Sequence, residues 1–514
     1  MKTGYLLGVD IGTYESKGVL ATPDGRVVAT QVRPHNLSIP HQGWAEHDAE
    51  AVWWGDFCAL TQALLKESGI RATDILAVGC SSIGPDMLPV DEQCRPLRPA
   101  VLYGIDTRAT EEIAYLEGLL GREEIYRRCG TRLSAQSVGP KILWLKRHEP
   151  ELYRKAHKIV GGTTFLTARL TGRYVIDHYT CASFDPLYDP ARGCWNPDFC
   201  APIIEVERLP EITWTSEVAG TVTRAAAAET GLAEGTPVIT GAIDAAAEAV
   251  SVGVVGPGQM MLMYGTTLFM IEVVGERRTD PRLWSAPYQF PGTHALMAGM
   301  ATTGALTRWF RDQFAPDLVA AEAQGGQNAY AALAEQAGRI PPGAEGLVVL
   351  PYFSGERTPI NDPRARGVIF GLTLAHSRAH VYRAVLESVG YGIRHHLDVL
   401  AEAGAAPSTL VAVGGGTKNP LWLQAVTDIC GCPQQVPAVT TGAAYGDAFL
   451  AGLGVGLFPG YETIREWVRD VRVIEPDPAA TAAYQPYYEL YRELYRRNGE
   501  LMHRAAAFAG PGQR

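Results

Sequence analysis

A pattern that occurs twice limits the folds open to this chain. Residues 5–13 read YLLGVDIGT and residues 260–267 read MMLMYGTT. Each is an apolar run closed by a Gly-Thr turn, followed by a second apolar run: KGVLAT after the first, LFMIEVV after the second. Such runs around a tight turn read as hairpin strands. The turn exposes backbone N–H groups and a hydroxyl, which together suit phosphate oxygens. Two such turns half the chain apart predict two related halves closing on one nucleotide, a phosphotransferase architecture.

At 514 residues the chain has room for two or three domains, each with its own core. A hydrophobic content of 46% with 19% charged residues fits a soluble globular enzyme and excludes a disordered or fibrous protein. The net charge of −10 argues against a nucleic-acid partner. It leaves ATP open, because a Gly-rich loop and magnesium handle those phosphates locally. The nine cysteines are scattered and form no CxxC pair, so they read as reduced core thiols rather than zinc ligands. Lys2 followed by a short apolar stretch broken at Asp10 does not read as a signal peptide. With no run of about 18 apolar residues, the expectation is a cytoplasmic protein with no membrane partner.

Along the first half, strands are predicted at 5–10, 17–21, 27–31 and 75–81, with helices at 49–66, 107–120 and 141–146. Pro23-Asp24-Gly25 joins the second and third strands. Trp53, Trp54, Phe57, Leu60 and Leu64 share a helical face and read as core. The segment 253–258, GVVGPG, directly precedes the second repeat and marks the boundary, giving domains 1–252 and 253–514. The second half reads as a hairpin over 260–273, helices near 306–314 and 377–400, strands at 347–350 and 409–413, and a helix from Asn419. The Tyr-rich tail 484–504 reads as a packed terminal helix. Strands alternating with helices predict α/β layers with mixed sheets.

Several residues can carry chemistry. Asp10 ends a buried strand, where a carboxylate can hold magnesium, while Gly12 and Thr13 offer N–H groups and a hydroxyl to phosphate. The same residues also read as an ordinary turn, and Lys17 either adds positive charge or is simply solvated. Gly265 and Thr266 are the second corner, in isolation equally a plain hairpin. Asp244, among small residues in GAIDAAAEAV, is the candidate general base, and it reads also as a helix N-cap. Gly414-Gly415-Gly416-Thr417-Lys418-Asn419 follows a strand and precedes a helix, so its backbone can approach a flat ring or a phosphate. It does not match the P-loop pattern.

With these segments in hand the chain resembles the FGGY carbohydrate kinases, and within them the xylulokinase-type pentulose kinases. The resemblance covers nearly the whole chain: DIGT at 10–13, GWAEHDAEAVWW at 43–54, RPLRPAVLYGIDTR at 95–108, LTGRYVIDHYTCAS at 170–183, GAIDAAAEAVSVG at 241–253, PYFSGERTPINDPRARGVIFGL at 351–372, HSRAHVYRAVLESVGYGI at 376–393, GGGTKNPLW at 414–422 and TGAAYGDAFLA at 441–451. It implies a two-domain actin-like (ribonuclease H-like) ATPase fold around a deep cleft, with sugar on the N-terminal side and ATP on the C-terminal side. Asp10 and Thr13 would serve phosphates and Mg2+, Asp10 as the metal residue. Asp244 would be the base, Gly265 and Thr266 would meet phosphate, and Gly415, Gly416 and Asn419 would border the adenosine.

Two departures fall on positions that contact sugar hydroxyls in the family. Pro85-Asp86-Met87 stands where Met-His is usual, and Ala245 stands where Asn or Gln usually follows the catalytic Asp. Asp86 and Met87 are therefore expected to recognise the substrate. The expected activity is ATP-dependent phosphorylation of a ketopentose such as xylulose. Ribulose, erythritol, glycerol or a hexulose are alternative acceptors, and an actin- or chaperone-like ATPase is a rival of another class. The expected partner is a small sugar or polyol, and a homodimer is left open.

Overall fold

The computed structural model describes residues 4–438 and 441–508. The chain divides into two compact units, neither of them one run of sequence. The first comprises Met1–Pro257, Val273–Ala295 and Val439–Arg469; the second comprises Gly258–Glu272, Leu296–Ala438 and Asp470–Arg514.

The first unit is built on a mixed sheet whose strands lie in the order Val218–Thr221, Pro237–Ile239, Ile75–Ser82, Tyr5–Ile11, Glu15–Ala21 and Val27–Pro34, with Ala242–Ile243 also pairing to Ile75–Ser82. The last three form an antiparallel meander, and Ile75–Ser82 joins Tyr5–Ile11 in parallel. The register sets side-chain neighbours, since directly opposed residues share a face. Asp10 lies opposite Lys17 on one side and Ser81 on the other, and Ser81 lies opposite Ala242. Two residues back along the same face, Gly8 is opposite Gly79.

Those two glycines form a bare patch on which the helix Ala443–Gly454 lies. A Cβ at Gly8 would stand 1.8 Å from the Ala444 carbonyl oxygen, and one at Gly79 would stand 2.2 Å from that of Asp447. The helix in turn meets the helix Asp244–Ser251 through Gly446, whose Cβ would fall 2.1 Å from the Ala247 carbonyl oxygen. On the opposite face of the sheet Gly18 meets Leu60 and Leu64 of the helix Gly55–Ser68. That helix is preceded by a wider, π-type turn at Ala49–Trp54 capped by Asp48, so the expected single helix is two pieces. The aromatic and leucine stripe it carries is buried, as its periodicity implies.

The second unit repeats the plan. Gln259–Tyr264 and Leu268–Val274 form the hairpin, Thr409–Val413 joins its first strand in parallel, Gln434–Pro437 follows in parallel, and Val471–Ile474 closes the edge antiparallel. Its tail helix, Pro478–Phe508, starts earlier than the Tyr-rich stretch and is a packing element: Tyr484, Tyr488, Tyr491, Leu494 and Met502 are buried with Tyr352, Tyr391 and Ile429. The Tyr484 hydroxyl donates to Glu387 Oε1 at 2.8 Å and accepts from Arg383 at 2.6 Å, bridging the buried pair. Among the described residues no helix is long and apolar enough to cross a membrane.

The glycine patch generates a direct test. Gly79→Ala forces a backbone shift and lowers unfolding free energy by about 3 kcal/mol. Gly118→Ala, inside the helix Thr110–Leu120 with nothing within 4 Å of the new Cβ, raises it by roughly 0.5–1 kcal/mol. Urea unfolding of both variants checks this; equal effects would contradict the close approach.

Candidate active site

In the first unit the Gly12–Thr13 corner is held by two histidines. Gly12 N–H donates to the Glu15 carbonyl at 3.0 Å, tightening the turn. His35 Nε2 lies 3.0 Å from the Gly12 carbonyl and His47 Nε2 lies 3.1 Å from that of Thr13. The His47 tautomer follows from its neighbours. Trp53 Nε1–H, which can only donate, reaches His47 Nδ1 at 3.1 Å. Nδ1 is therefore the acceptor, and Nε2 carries the proton given to Thr13. Burial, chiefly, pushes the ring's pKa down to about 4, so it stays neutral. The Thr13 hydroxyl stands 3.4 Å from that of Tyr103.

Beside this corner, acids gather. Asp10 Oδ1 accepts from the Ser81 hydroxyl at 2.9 Å. Burial pushes the Asp10 carboxyl up to about 6, with Ser81 and the Lys17 charge opposing. Asp244 is the first residue of its helix, one place later than an N-cap, which is Ile243. The side chain therefore caps nothing further along: Oδ1 accepts from the adjacent Ala245 N–H at 2.7 Å. Burial first, then the negative charge of Asp10, raise its pKa well above the usual carboxylate range. One helical turn on, Glu248 is pushed up to about 7 by burial and by Asp10, while Lys17 opposes. Asp447, on the helix that lies over Gly8 and Gly79, is fully buried and reaches the Ser81 hydroxyl at 2.7 Å.

Asp86 and Met87 part company. Asp86 is buried, accepts from Gly162 N–H at 2.8 Å through Oδ1, and lines a small pocket with Ser82, Thr163, Asp177 and Gly241. Its Oδ2 has no hydrogen-bond partner, and burial pushes the group up to about 7. Met87, expected at the substrate, is instead a core residue. It is fully buried among Val101, Val138 and Ile142, and its backbone bridges to Val101. Successive residues on an extended segment point to opposite sides, so placing Asp86 at the pocket sends Met87 away from it.

In the second unit the exposed corner Gly265–Thr266 is backed by Gly304. Gly304 N–H donates to the Gly265 carbonyl at 3.0 Å and Ala305 N–H to that of Thr266 at 3.0 Å. A Cβ on Gly304 would fall 2.5 Å from the Gly265 oxygen. Gly414, at φ +89°, passes against the Tyr264 backbone, and Gly416 packs on Tyr264 and the Trp422 ring. Gly415 has nothing within 4 Å of a Cβ position and faces open space. Asn419 Oδ1 caps the helix Pro420–Cys430 by accepting from Trp422 N–H at 3.2 Å. Gly265, Thr266, Gly415, Gly416 and Asn419 line one cavity of ≈ 1140 Å³, together with Trp309 and Tyr330.

Family models match the chain in two consecutive stretches: the N-terminal domain of the FGGY family of carbohydrate kinases over residues 5–251 and its C-terminal domain over residues 260–455. The chain belongs to the FGGY family of carbohydrate kinases. The xylulose kinase of Escherichia coli (strain K12) is 32% identical over 503 residues, covering 96% of this chain and 99% of that protein. The glycerol kinase of Nocardia farcinica is also 32% identical, over 485 residues, covering 91% of this chain and 93% of that protein. The crystal structure of xylulose kinase from Rhodospirillum rubrum matches with a TM-score of 0.90 at 33% identity, over 97% of this chain and 100% of that one. The two-domain actin-like α/β fold expected above is thus the fold of this FGGY kinase.

Magnesium and a nucleotide both fit the donor sets of this FGGY chain. Among the described residues no group of three or more His, Cys, Asp or Glu side chains could hold a metal alone. A hard cation that takes one or two carboxylates plus phosphate oxygens needs no such cage, and Asp10 among its acidic neighbours supplies that kind of site. The second-unit cavity offers glycine backbone, the Thr266 hydroxyl and aromatic walls, and is large enough for a nucleotide.

Sequence reasoning did not single out Ser81, Glu248, Asp447, His35 or His47. Glu248 carried a signal, since four residues after Asp244 on a helix puts it on the same face. Asp447 carried none, standing 366 positions from the serine it touches. The histidine brace has its own test. His47→Phe keeps the ring volume but leaves the Trp53 N–H and Thr13 carbonyl without partners, costing about 2 kcal/mol or more. His157→Phe, at an exposed position that keeps its ring contact with Tyr174, stays within about 0.5 kcal/mol. Thermal unfolding of the two variants separates them; equal midpoints would rule out the brace.

Proposed function

We propose that this chain transfers the terminal phosphate of ATP to a hydroxyl of a ketopentose such as xylulose, with Asp244 as general base. The observation that supports this most is the burial of Asp244 near Asp10 in the first unit, where the charge of Asp10 adds to burial in raising the proton affinity of Asp244. A base of raised pKa takes a hydroxyl proton more readily as the oxygen attacks phosphorus. Oδ1 of Asp244 is engaged by Ala245 N–H, so Oδ2 is the atom that receives the proton.

Asp10 would hold magnesium through water, with Lys17 adding positive charge beside it. At the corners that Gly12 and Gly265 turn, the Thr13 and Thr266 hydroxyls would donate to phosphate oxygens, and Gly415, Gly416 and Asn419 would border the adenosine. Asp86, with its unpartnered oxygen, would face the sugar side. Magnesium when bound supplies neutralisation of the charge on the transferred phosphoryl group. The similarity to xylulose kinases supports a pentulose acceptor, and the absence of a membrane-spanning helix among the described residues fits a cytoplasmic enzyme.

A second acceptor class, a shorter polyol such as glycerol or erythritol, draws support from Ala245, which offers no polar group beside the base, and from a glycerol kinase relative of equal identity. ADP release over a panel of ketopentoses, pentitols, tetritols and glycerol decides between them. One acceptor is expected to stimulate release by about tenfold or more, and Asp244→Asn to lower that turnover by roughly 10² to 10⁴. Stimulation by no member of the panel, or a variant as fast as wild type, would overturn the proposal.

The carboxylate cluster also fixes the sign of the pH dependence. Asp244 works only when deprotonated, and burial with Asp10 and Glu248 raises its pKa. The kcat/KM profile should therefore climb with pH well above the ordinary carboxylate value of about 3.9. Glu248→Gln, which removes one negative neighbour, should move the climb to lower pH. A flat profile from about pH 5 upward, or no shift in the variant, would contradict the cluster's effect.

A further inference from the structure

Behind the Gly12–Thr13 corner the ring of His35 has both nitrogens committed. Nδ1 lies 3.0 Å from Asp56 Oδ2, and Nε2 lies 3.0 Å from the Gly12 carbonyl oxygen. The carbonyl can only accept a hydrogen bond, and so can an ionised carboxylate. A neutral imidazole has one N–H and one bare lone pair. Either tautomer would therefore aim a lone pair at an oxygen within hydrogen-bond distance. Both contacts are met by a ring that carries two protons.

A proton on Asp56 is the alternative, and the other neighbours of that carboxyl group exclude it. Oδ1 takes Arg33 Nε–H at 2.5 Å, and Oδ2 takes the Ser16 hydroxyl at 2.8 Å beside His35. A guanidinium keeps its charge and favours the ionised acid. The His35 and Asp56 side chains are 7% and 4% exposed. A buried ion pair is stable only where further hydrogen bonds meet the remaining lone pairs, and this carboxylate has those bonds. Ser16 Oγ also stands 3.4 Å from His35 Nδ1, but its one proton goes to the closer oxygen. The groups facing the ring are Asp56 from the helix Gly55–Ser68, Arg33 from the strand that leads into it, the Ser16 hydroxyl and His47, whose ring stands edge-on at 5.1 Å and is kept neutral by burial. Asp56 is the one anion among them, and it balances one of two cations.

We infer that His35 is a positioning residue: as an imidazolium it gives Nδ1–H to Asp56 and Nε2–H to the Gly12 carbonyl, placing a positive charge behind the corner. That carbonyl belongs to the same planar peptide unit as the Thr13 N–H, which points the opposite way. A charge-assisted bond is about twice as strong as a neutral one, and it polarises the unit so that the N–H becomes a better donor. The corner is thus fixed and made electropositive from behind. The consequence for phosphate rests on the role proposed above for Thr13; the two protons on His35 do not.

Two readouts test this on the full chain. NMR of the wild type at neutral pH, with the imidazole nitrogens isotopically labelled, should show a ring with both nitrogens protonated whose signals vanish in His35→Gln. Asp56→Asn should return that ring to a neutral form with one bare nitrogen. If the ring lost in His35→Gln already has a bare nitrogen in the wild type, the inference is overturned, whether or not any sugar is phosphorylated. In ADP-release assays His35→Gln, which keeps a hydrogen-bond donor but no charge, should raise the KM for ATP about 10-fold and change kcat much less. Asp56→Asn should do the same, and the double variant should be no worse than either, because the two side chains act as one unit. A wild-type KM in His35→Gln, or effects that multiply in the double variant, would contradict the positioning role. Should His35→Gln not fold, the loss of one doubly protonated ring in Asp56→Asn still decides. A wild-type chain that no panel acceptor stimulates, yet shows that ring, counts against the proposed function and not against the state of His35.

Discussion

The first unit depends on how closely a helix can lie on a sheet. Ala443–Gly454 passes over Tyr5–Ile11 and Ile75–Ser82 with carbonyl oxygens where side chains would otherwise stand. Only Gly8 and Gly79, paired in register and facing the same way, leave that space. Because the side-chain period of a strand is two, the next residues on that face are Asp10 and Ser81. The approach that needs the glycines therefore also drives Asp447 down beside them. Packing and electrostatics at this point share one cause: the patch that admits the helix admits its carboxyl group.

That contact fills the neighbourhood with acids. The charge of Asp10 raises the proton affinity of Asp244, Glu248 and Asp447, and Lys17 opposes the rise at Asp10 and Glu248. Such an arrangement is costly unless some acids stay protonated or a cation joins them. A phosphoryl-transfer site meets both conditions in turn. In the function proposed above it would accept a divalent cation, and it would keep a base whose proton affinity falls when that cation arrives. The cluster is therefore expensive for folding and useful for chemistry, the usual reason a fold tolerates unpaired buried charge.

Much of this was legible from local patterns. The two hairpin corners, the Gly-rich turn before Asn419 and the buried face of Gly55–Ser68 all follow from periodicity and turn chemistry, which act over a few residues. The expectation for Met87 came from its standing at the family's usual Met-His position: without the bridge to Val101 there was no way to tell which of two adjacent side chains faces the pocket. Asp447 was out of reach for a different reason. Its motif reads as a small-residue helix, and nothing in a linear pattern reports that this helix returns to the first strand of the chain. Ser81 became informative only once the register placed it opposite Asp10.

The two corners also differ in a way that their shared pattern hides. Each is a hairpin turn joined by a parallel third strand, and each is braced from behind. The first brace is polar: histidine side chains take up the Gly12 and Thr13 carbonyls, and an acid stands at the strand end. The second is backbone alone, with Gly304 and Ala305 N–H groups on the Gly265 and Thr266 carbonyls and Met263, an uncharged residue, where the first has its acid two places before the glycine. A duplicated turn thus serves unlike ends. Oriented N–H groups suit an anion on either corner, but only the first carries a carboxylate able to draw a divalent cation. Under the function proposed above, cation binding would fall to the corner whose backbone is already fixed by side chains, and the other would follow the shape of a nucleotide.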